Sequence, residues 1–437
     1  MKMTNFQLIF TGVFVLLILV GVAVFALFGG IGGKSNIGVV TVWGTVDQTT
    51  VDRVLQDLRQ TNKELSDVRY VQRTPSTYVA DLINAMASGT GPDLFFIGQD
   101  EVFLFADKIQ VVPYSTLSQS TFINSYIDEG QLFLTEQGAL ALPLLIDPLV
   151  MYWNRDMLAS AGVSQPPRYW SDLITLAPKI TKLDPSLTIQ KSAVALGEWQ
   201  NISHAKAILT TLFLQAGDPI VARDTSGIQV VVFGTTPQNM PENPAVSALK
   251  FYTEFANPSK TTYSWNRSLP KSQDAFTAGD VALYFGMASD YEALKARNPN
   301  LRFAVAPLPQ IQGNSTTLTF GQMTGVALSR SAPNAAGALT AAQILTGPAA
   351  ALAFAQANKL PPVRRDVVVD TSADAAQAVF VQSALVARAW LDIDKQKTDT
   401  LYAGMIESVI SGKSELSSAV AEVSLSLGAL LREKQIR

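Results

Sequence analysis

The chain has 437 residues, a single histidine, no cysteine and a formal net charge of −3. Without cysteine there can be no disulfide framework, no thiolate metal site and no lipid-bearing amino-terminal cysteine, and one histidine excludes a histidine-rich metal centre. The charge is small and dispersed, with no basic cluster to displace counterions from a nucleic acid, so nucleic acid is not an expected partner.

The first element lies between Lys2 and Lys34, where no residue is charged and residues 8–28 are almost wholly apolar. As a helix rising 1.5 Å per residue it would cover roughly 30 Å, the hydrocarbon thickness of a bilayer. It is longer than the apolar core of a secretory signal, and its Ala-Leu-Phe end is a poor cleavage site. We therefore expect a short segment 1–7, an uncleaved single-pass anchor over 8–28 and a glycine-rich tether over 29–36. Two Gly-Lys-Ser triplets, at Gly33 and Gly412, lack the first glycine of a phosphate-binding loop, because Phe28 and Glu407 stand in its place.

Strand and helix then alternate. Residues 39–43 read as a buried strand, and Val51, Val54, Leu55 and Leu58 recur at the i, i+3, i+4, i+7 spacing of a helix face. A second strand is expected over 68–72, a helix over 77–87 ended by Gly89, and a third strand over 94–97. This pattern implies right-handed crossovers and a mostly parallel sheet, with ligand beyond the carboxyl ends of the strands. Trp43, Thr45 and Asp47 would lie past the first strand, Gln99 and Asp100 past the third. Farther on, a strand ends at a Leu-Pro step (142–143) and another closes on Tyr152, Trp153 and Asn154. A short helix over 155–161 stops at Gly162, and a Pro-Pro-x-x-Trp element ending at Trp170 opens the next helix.

This last segment resembles the lobe-crossing segment of the family 1 extracellular solute-binding proteins of ABC importers, a group that includes the maltodextrin-binding proteins. Pro143 and Asn154 keep the family spacing, and Tyr169 stands where threonine is usual. Residues 89–93 (GTGPD), 275–285 (AFTAGDVALYF), 303–309 (FAVAPLP), 327–334 and 411–419 follow the family in the correct order, the last as the final helix. The resemblance implies an α/β, periplasmic-binding-protein-like type II fold with two lobes, a discontinuous chain and a multi-strand hinge, behind the one amino-terminal transmembrane helix. Lobe 1 would comprise 37–144 plus 307–330, and lobe 2 would comprise 145–306 plus 331–437. It further implies a monomeric receptor on the outer face of the cell membrane that binds a small molecule and closes by rigid rotation. Channel and ATPase would be other subunits.

In the maltodextrin-binding relatives, acids at the positions of Asp47, Asp100 and Asp147 hold sugar hydroxyls, since a carboxylate accepts charge-assisted hydrogen bonds. The second lobe offers Glu198 and Trp199 where the relatives have an acid with a nearby aromatic. Ile97 and Ala288 replace two stacking tryptophans and Glu101 replaces a basic residue, so the ligand is not expected to be a simple maltodextrin. Trp265, Tyr291 and Trp390 are candidate replacement platforms, while Trp153 and Trp170 are expected to pack the lobes. No catalytic residue, metal or cofactor is expected; His204 reads as a helix-end histidine. Four acids without clustered arginine suit an oligosaccharide, or second a cationic solute such as a polyamine. A carboxylate-dependent surface glycosidase and a ligand-sensing domain are the alternatives of other classes.

Overall fold

The computed structural model describes residues 37–224, 228–238 and 240–435; the expected anchor over 8–28 and tether over 29–36 lie outside them. Strand β1 (Val40–Gly44) pairs in parallel with β2 (Val68–Gln72) on one side and β3 (Leu94–Gly98) on the other. Helix α1 (Gln48–Thr61) buries Val51, Val54, Leu55 and Leu58 in one stripe, and α2 (Tyr78–Ala87) connects β2 to β3. This is the alternating unit that periodicity predicts.

Five further strands continue the sheet through the molecule: β4 (Leu142–Asn154), β5 (Ile189–Val194), β6 (Val281–Met287), β7 (Phe303–Ala306) and β8 (Thr319–Ser329). The two longest, β4 and β8, run antiparallel from Gly321 opposite Pro148 to Val326 opposite Leu142, with a bulge between Thr324 and Gly325. The far half of β8 pairs with β3, Thr324 to Gly98 through Leu328 to Leu94. The far half of β4 pairs with β6, Leu149 to Met287 through Trp153 to Leu283, and β6 carries β5 in parallel. One mixed sheet in the order β2-β1-β3-β8-β4-β6-β5 therefore belongs to one lobe at its start and to the other at its end. Central strands covered on both faces must be apolar throughout. In β4 every residue is buried except the half-exposed Asp147 and Trp153, and only Asp147 and the closing Asn154 are strongly polar.

The second lobe packs α3 (Trp170–Ile180), α4 (Ala205–Ala216) and α5 (Pro244–Glu254) around β5 and β6. Trp170 is buried there, donating to Gln215 at 2.6 Å and meeting Phe251 and Phe285 edge-on. Two expected boundaries move. The return to the first lobe comes later than residue 307: β7 lies antiparallel to β4, Phe303 opposite Asn154, the second lobe's Gln215 donates to the Pro309 and Leu318 carbonyls, and β8 makes the return. Nor does 331–437 belong wholly to the second lobe. Helices α6 (Ala335–Leu345) and α7 (Pro348–Asn358) pack against β1 and α1, and Asn334 donates to the Ile37 carbonyl at 2.6 Å. Their small alanine-rich faces fit closely over the first lobe's sheet and helix. The chain rejoins the second lobe at α8 (Ala375–Leu385), followed by α9 (Lys395–Ile410) and α10 (Leu416–Gln435). The final helix starts at Leu416, inside the expected 411–419, after a turn at Gly412 (φ +70°). Among the described residues no single helix is long and apolar enough to cross a membrane.

Candidate functional site

Where the sheet passes from one lobe to the other, a cavity of about 550 Å³ is lined from both sides. The first-lobe wall begins at the end of β3. A Cβ on Gly98 would occupy the place of Asp100 Oδ1, so the absence of a side chain there lets the Asp100 carboxylate lie back over the strand. Asp100 accepts from Gln322 Nε2 at 3.2 Å, and Lys395 Nζ lies 3.9 Å away. Burial raises its carboxyl above the usual range, against the pull of Lys395. Gln99 also reaches the cavity, but its amide donates to the Gly321 carbonyl at 2.9 Å and accepts the Met323 N–H at 3.0 Å. It ties β3 to β8.

Asp147 stands mid-strand in β4. Its Oδ1 accepts the Ser289 N–H at 3.0 Å, and burial pushes its carboxyl up to about 6, with the Ser289 hydrogen bond opposing. Opposite it, the loop before α4 supplies Trp199, Ile202 and His204. His204 takes left-handed backbone angles (φ 61°, ψ 25°) at the start of α4, an uncommon conformation for a residue with a side chain. Its Nε2 is 3.1 Å from Asp290 Oδ2, which also accepts the Tyr284 hydroxyl at 2.8 Å and the Met287 N–H at 3.1 Å. A carboxylate oxygen serving as acceptor for those donors makes the imidazole donate from Nε2, which leaves Nδ1 as the acceptor of the neutral ring.

The floor of the cavity is an ionic network. Lys206, the one charged residue of the apolar helix α4, points its ammonium at Asp392 Oδ2 (2.5 Å), Thr398 Oγ1 (2.6 Å) and Asp399 Oδ1 (2.7 Å). An ammonium has three N–H donors, and all three are engaged. Lys395 adds a 3.4 Å contact to Asp399. Its ammonium is held above the ordinary range because Asp399 and Asp100 outweigh the opposing effect of burial. Trp390, 5% exposed, also lines a neighbouring hollow of about 430 Å³.

Of the residues proposed from sequence, Gln99, Asp100, Asp147, Trp199 and Trp390 come together here. The others do not. Trp43 is buried beneath the Arg73 guanidinium, 3.5 Å from its ring centre. Thr45 is exposed outside the cavity, and Asp47 caps α1, its carboxyl held down by the Thr49 hydroxyl and the Thr50 N–H. Glu198 is buried next to Arg267 at 3.4 Å, while Trp199 after it takes the cavity side. Trp265 is 0% exposed, its indole N–H donated to Asn201 at 3.1 Å. Tyr291 packs edge-on against Phe303 and Phe380, at a separate hollow with Arg155 and Lys295. Residues not anticipated at the cavity are His204, Lys206, Ser289, Gln322, Asp392, Lys395 and Asp399. Lys206 carried a signal, a lone charge in an apolar helix; Asp392, Lys395 and Asp399 carried none.

A profile of the family described as bacterial extracellular solute-binding protein matches residues 50–352. A Brucella abortus protein, provisionally assigned as a binding protein, is 25% identical over 244 residues, 52% of this chain and 52% of its own. The chain thus spans about half the length of the curated relatives it matches. Among solved structures, the cyclic alpha-maltosyl-1,6-maltose binding protein from Arthrobacter globiformis superposes with a TM-score of 0.73 at 17% identity, over 91% of this chain and 99% of that one. The sugar-binding protein MalE from Xanthomonas citri gives 0.72 at 18% identity, over 91% and 98%. At these identities the likeness establishes the two-lobed α/β fold.

Proposed function

The chain belongs to the bacterial extracellular solute-binding protein family, and on that footing we propose that it is the membrane-tethered receptor of an ABC importer. It takes a carbohydrate between its lobes outside the cytoplasm and delivers it to separate permease and ATPase subunits. The observation that carries this reading is the inter-lobe cavity, which the half-buried Trp199 and Asp147 both line. An indole face stacks on a sugar ring, and a carboxylate accepts charge-assisted hydrogen bonds from hydroxyls. Asp100, Asp147, Trp199 and Trp390, with His204, are the proposed contacts. Ligand touching both walls stabilises the closed arrangement through contacts the open one lacks. The sugar-binding names of the similar solved structures agree with this class.

Calorimetry of the purified chain against a broad glycan panel tests the proposal: at least one glycan should bind and should not be consumed. Hydrolysis of the bound glycan would replace the receptor with a glycosidase. Membrane tethering is tested by fractionation. The full chain should pellet with membranes, and a chain beginning at Ser35 should not; recovery of a mature form starting after Phe28 would overturn the anchor.

A further inference from the structure

The charges around the cavity do not balance. Asp100, Asp147, Asp392 and Asp399 line it against Lys206 and Lys395, which leaves two negative charges in excess. Both ammonium groups are already committed. Lys206 is saturated by Asp392, Thr398 and Asp399, and Lys395 lies between Asp399 and Asp100. Asp147 is the carboxylate left over. Among the described residues no lysine, arginine or histidine nitrogen comes within 4 Å of it, His204 acting on it only from farther off, and the donor it has, Ser289, through its N–H to Oδ1 and its hydroxyl, carries no charge.

A neutral polyol could donate to the Asp147 carboxylate, but the charge without a counter-ion would then be closed into a dry cleft, which is costly. A cation satisfies hydrogen bond and charge together. A metal ion is a poor fit, because among the described residues no three His, Asp or Glu side chains converge to hold one. An organic ammonium fits better, since Trp199 and Trp390 line the same cavity and indole faces attract cations.

We infer that the ligand carries a protonated amine, seated between the Asp147 carboxylate and the Trp199 and Trp390 rings. Resting on the carbohydrate reading, this makes the ligand class an amino sugar or aminated oligosaccharide. Hydroxyls of the same ligand meet the remaining acceptors, the Asp100 carboxylate and His204 Nδ1. An aliphatic polyamine shares the ammonium but not the hydroxyls.

The full chain in mild detergent is screened calorimetrically against glycans in matched sets, each offering a hydroxyl, an acetamido or an amino group at one carbon, with spermidine as the sugar-free amine. The best amino form should bind about tenfold or more tightly than its hydroxyl counterpart. The preference should shrink between about 20 mM and about 500 mM salt, and Asp147→Asn should erase it. Equal or tighter binding of the hydroxyl form overturns the inference while leaving the carbohydrate reading intact. So does a preference that survives in an Asp147→Asn chain whose thermal midpoint matches the parent. Should that variant not fold, the salt dependence of the parent decides alone, a salt-insensitive preference counting against the inference. Spermidine binding with every glycan silent overturns the carbohydrate reading and the amino-sugar class with it. Silence from all glycans and spermidine overturns both.

Discussion

Glu129 offers the sharpest test of how this fold handles charge. It is 1% exposed, and neither carboxylate oxygen has a hydrogen-bond partner. It lies where the hinge strands meet: a Cβ on Gly321 of β8 would collide with Glu129 Oε2, and would crowd Ile146 of β4 and Ala387 as well. Burial raises the carboxyl well above its ordinary 4.5, with Arg388 the opposing influence. The folded chain therefore keeps the proton after the unfolded chain has lost it. Stability from this group is complete below pH 4.5 and is lost as pH rises towards the folded value, at about 1.4 kcal/mol per pH unit while only the unfolded form ionises. Glu129→Gln has nearly the same shape and no proton to lose. Denaturant unfolding of both chains between about pH 5 and pH 7 should show the parent weakening relative to the variant by nearly that slope. The two should converge only below about pH 4, where Glu129 is neutral in the folded and the unfolded chain alike. Asp100, Asp147 and Glu101, all raised mainly by burial, weaken both chains alike and cancel in the difference. Parallel stability curves would refute the argument that Glu129 is a neutral acid in the folded state.

Three further outcomes follow from the cavity. Lys206→Met should destabilise the chain by about 3 kcal/mol, because it leaves the buried Asp392 and the half-exposed Asp399 without their ammonium; adding Asp392→Asn should recover more than half of this. A loss below about 0.5 kcal/mol by chemical denaturation would mean the network is screened like a surface pair. His204→Gly should hold or raise the thermal midpoint, since glycine accepts φ 61° without strain, while weakening whichever glycan the screen identifies; unchanged affinity would remove His204 from the site. Affinity for that glycan should fall as pH drops below about 6, by up to tenfold per unit, as Asp147 gains a proton and ceases to accept freely. A titration flat from about pH 7 to pH 5 would show that Asp147 does not hold the ligand.

The parts of this architecture that could be read from sequence are those in which one segment carries its own reason. The stripe of Val51, Val54, Leu55 and Leu58 needs no partner to be recognised as a helix face, and the helix is there. Asp147 is conspicuous because a carboxylate in a 13-residue apolar strand must be answered by something across the strand. Lys206 in α4 obeys the same logic and was legible on the same grounds. Trp265 and Tyr291 were proposed because they stand near Ala288 in sequence. Nearness along the chain does not decide which way a ring turns, and here Asn201 and Phe380 hold the two rings elsewhere. The same limit explains 303–309, an apolar strand equally suited to either lobe, whose place is set by its partner Asn154.

The cavity's floor lay furthest out of reach. Lys206 meets Asp392 across 186 residues and Asp399 across 193, and neither pairing leaves a mark in the local pattern of either segment. What joins them is the return of the chain through α6 and α7 over the first lobe, then α8 and α9 over the second. Ion pairs assembled at such separation depend on the lobes having already formed, so the network that defines the cavity's charge is a consequence of the fold. The excess of acid it leaves at Asp147 follows from counting donors once the pairs are known. Composition alone, with a net charge of −3 over the whole chain, could not have placed it.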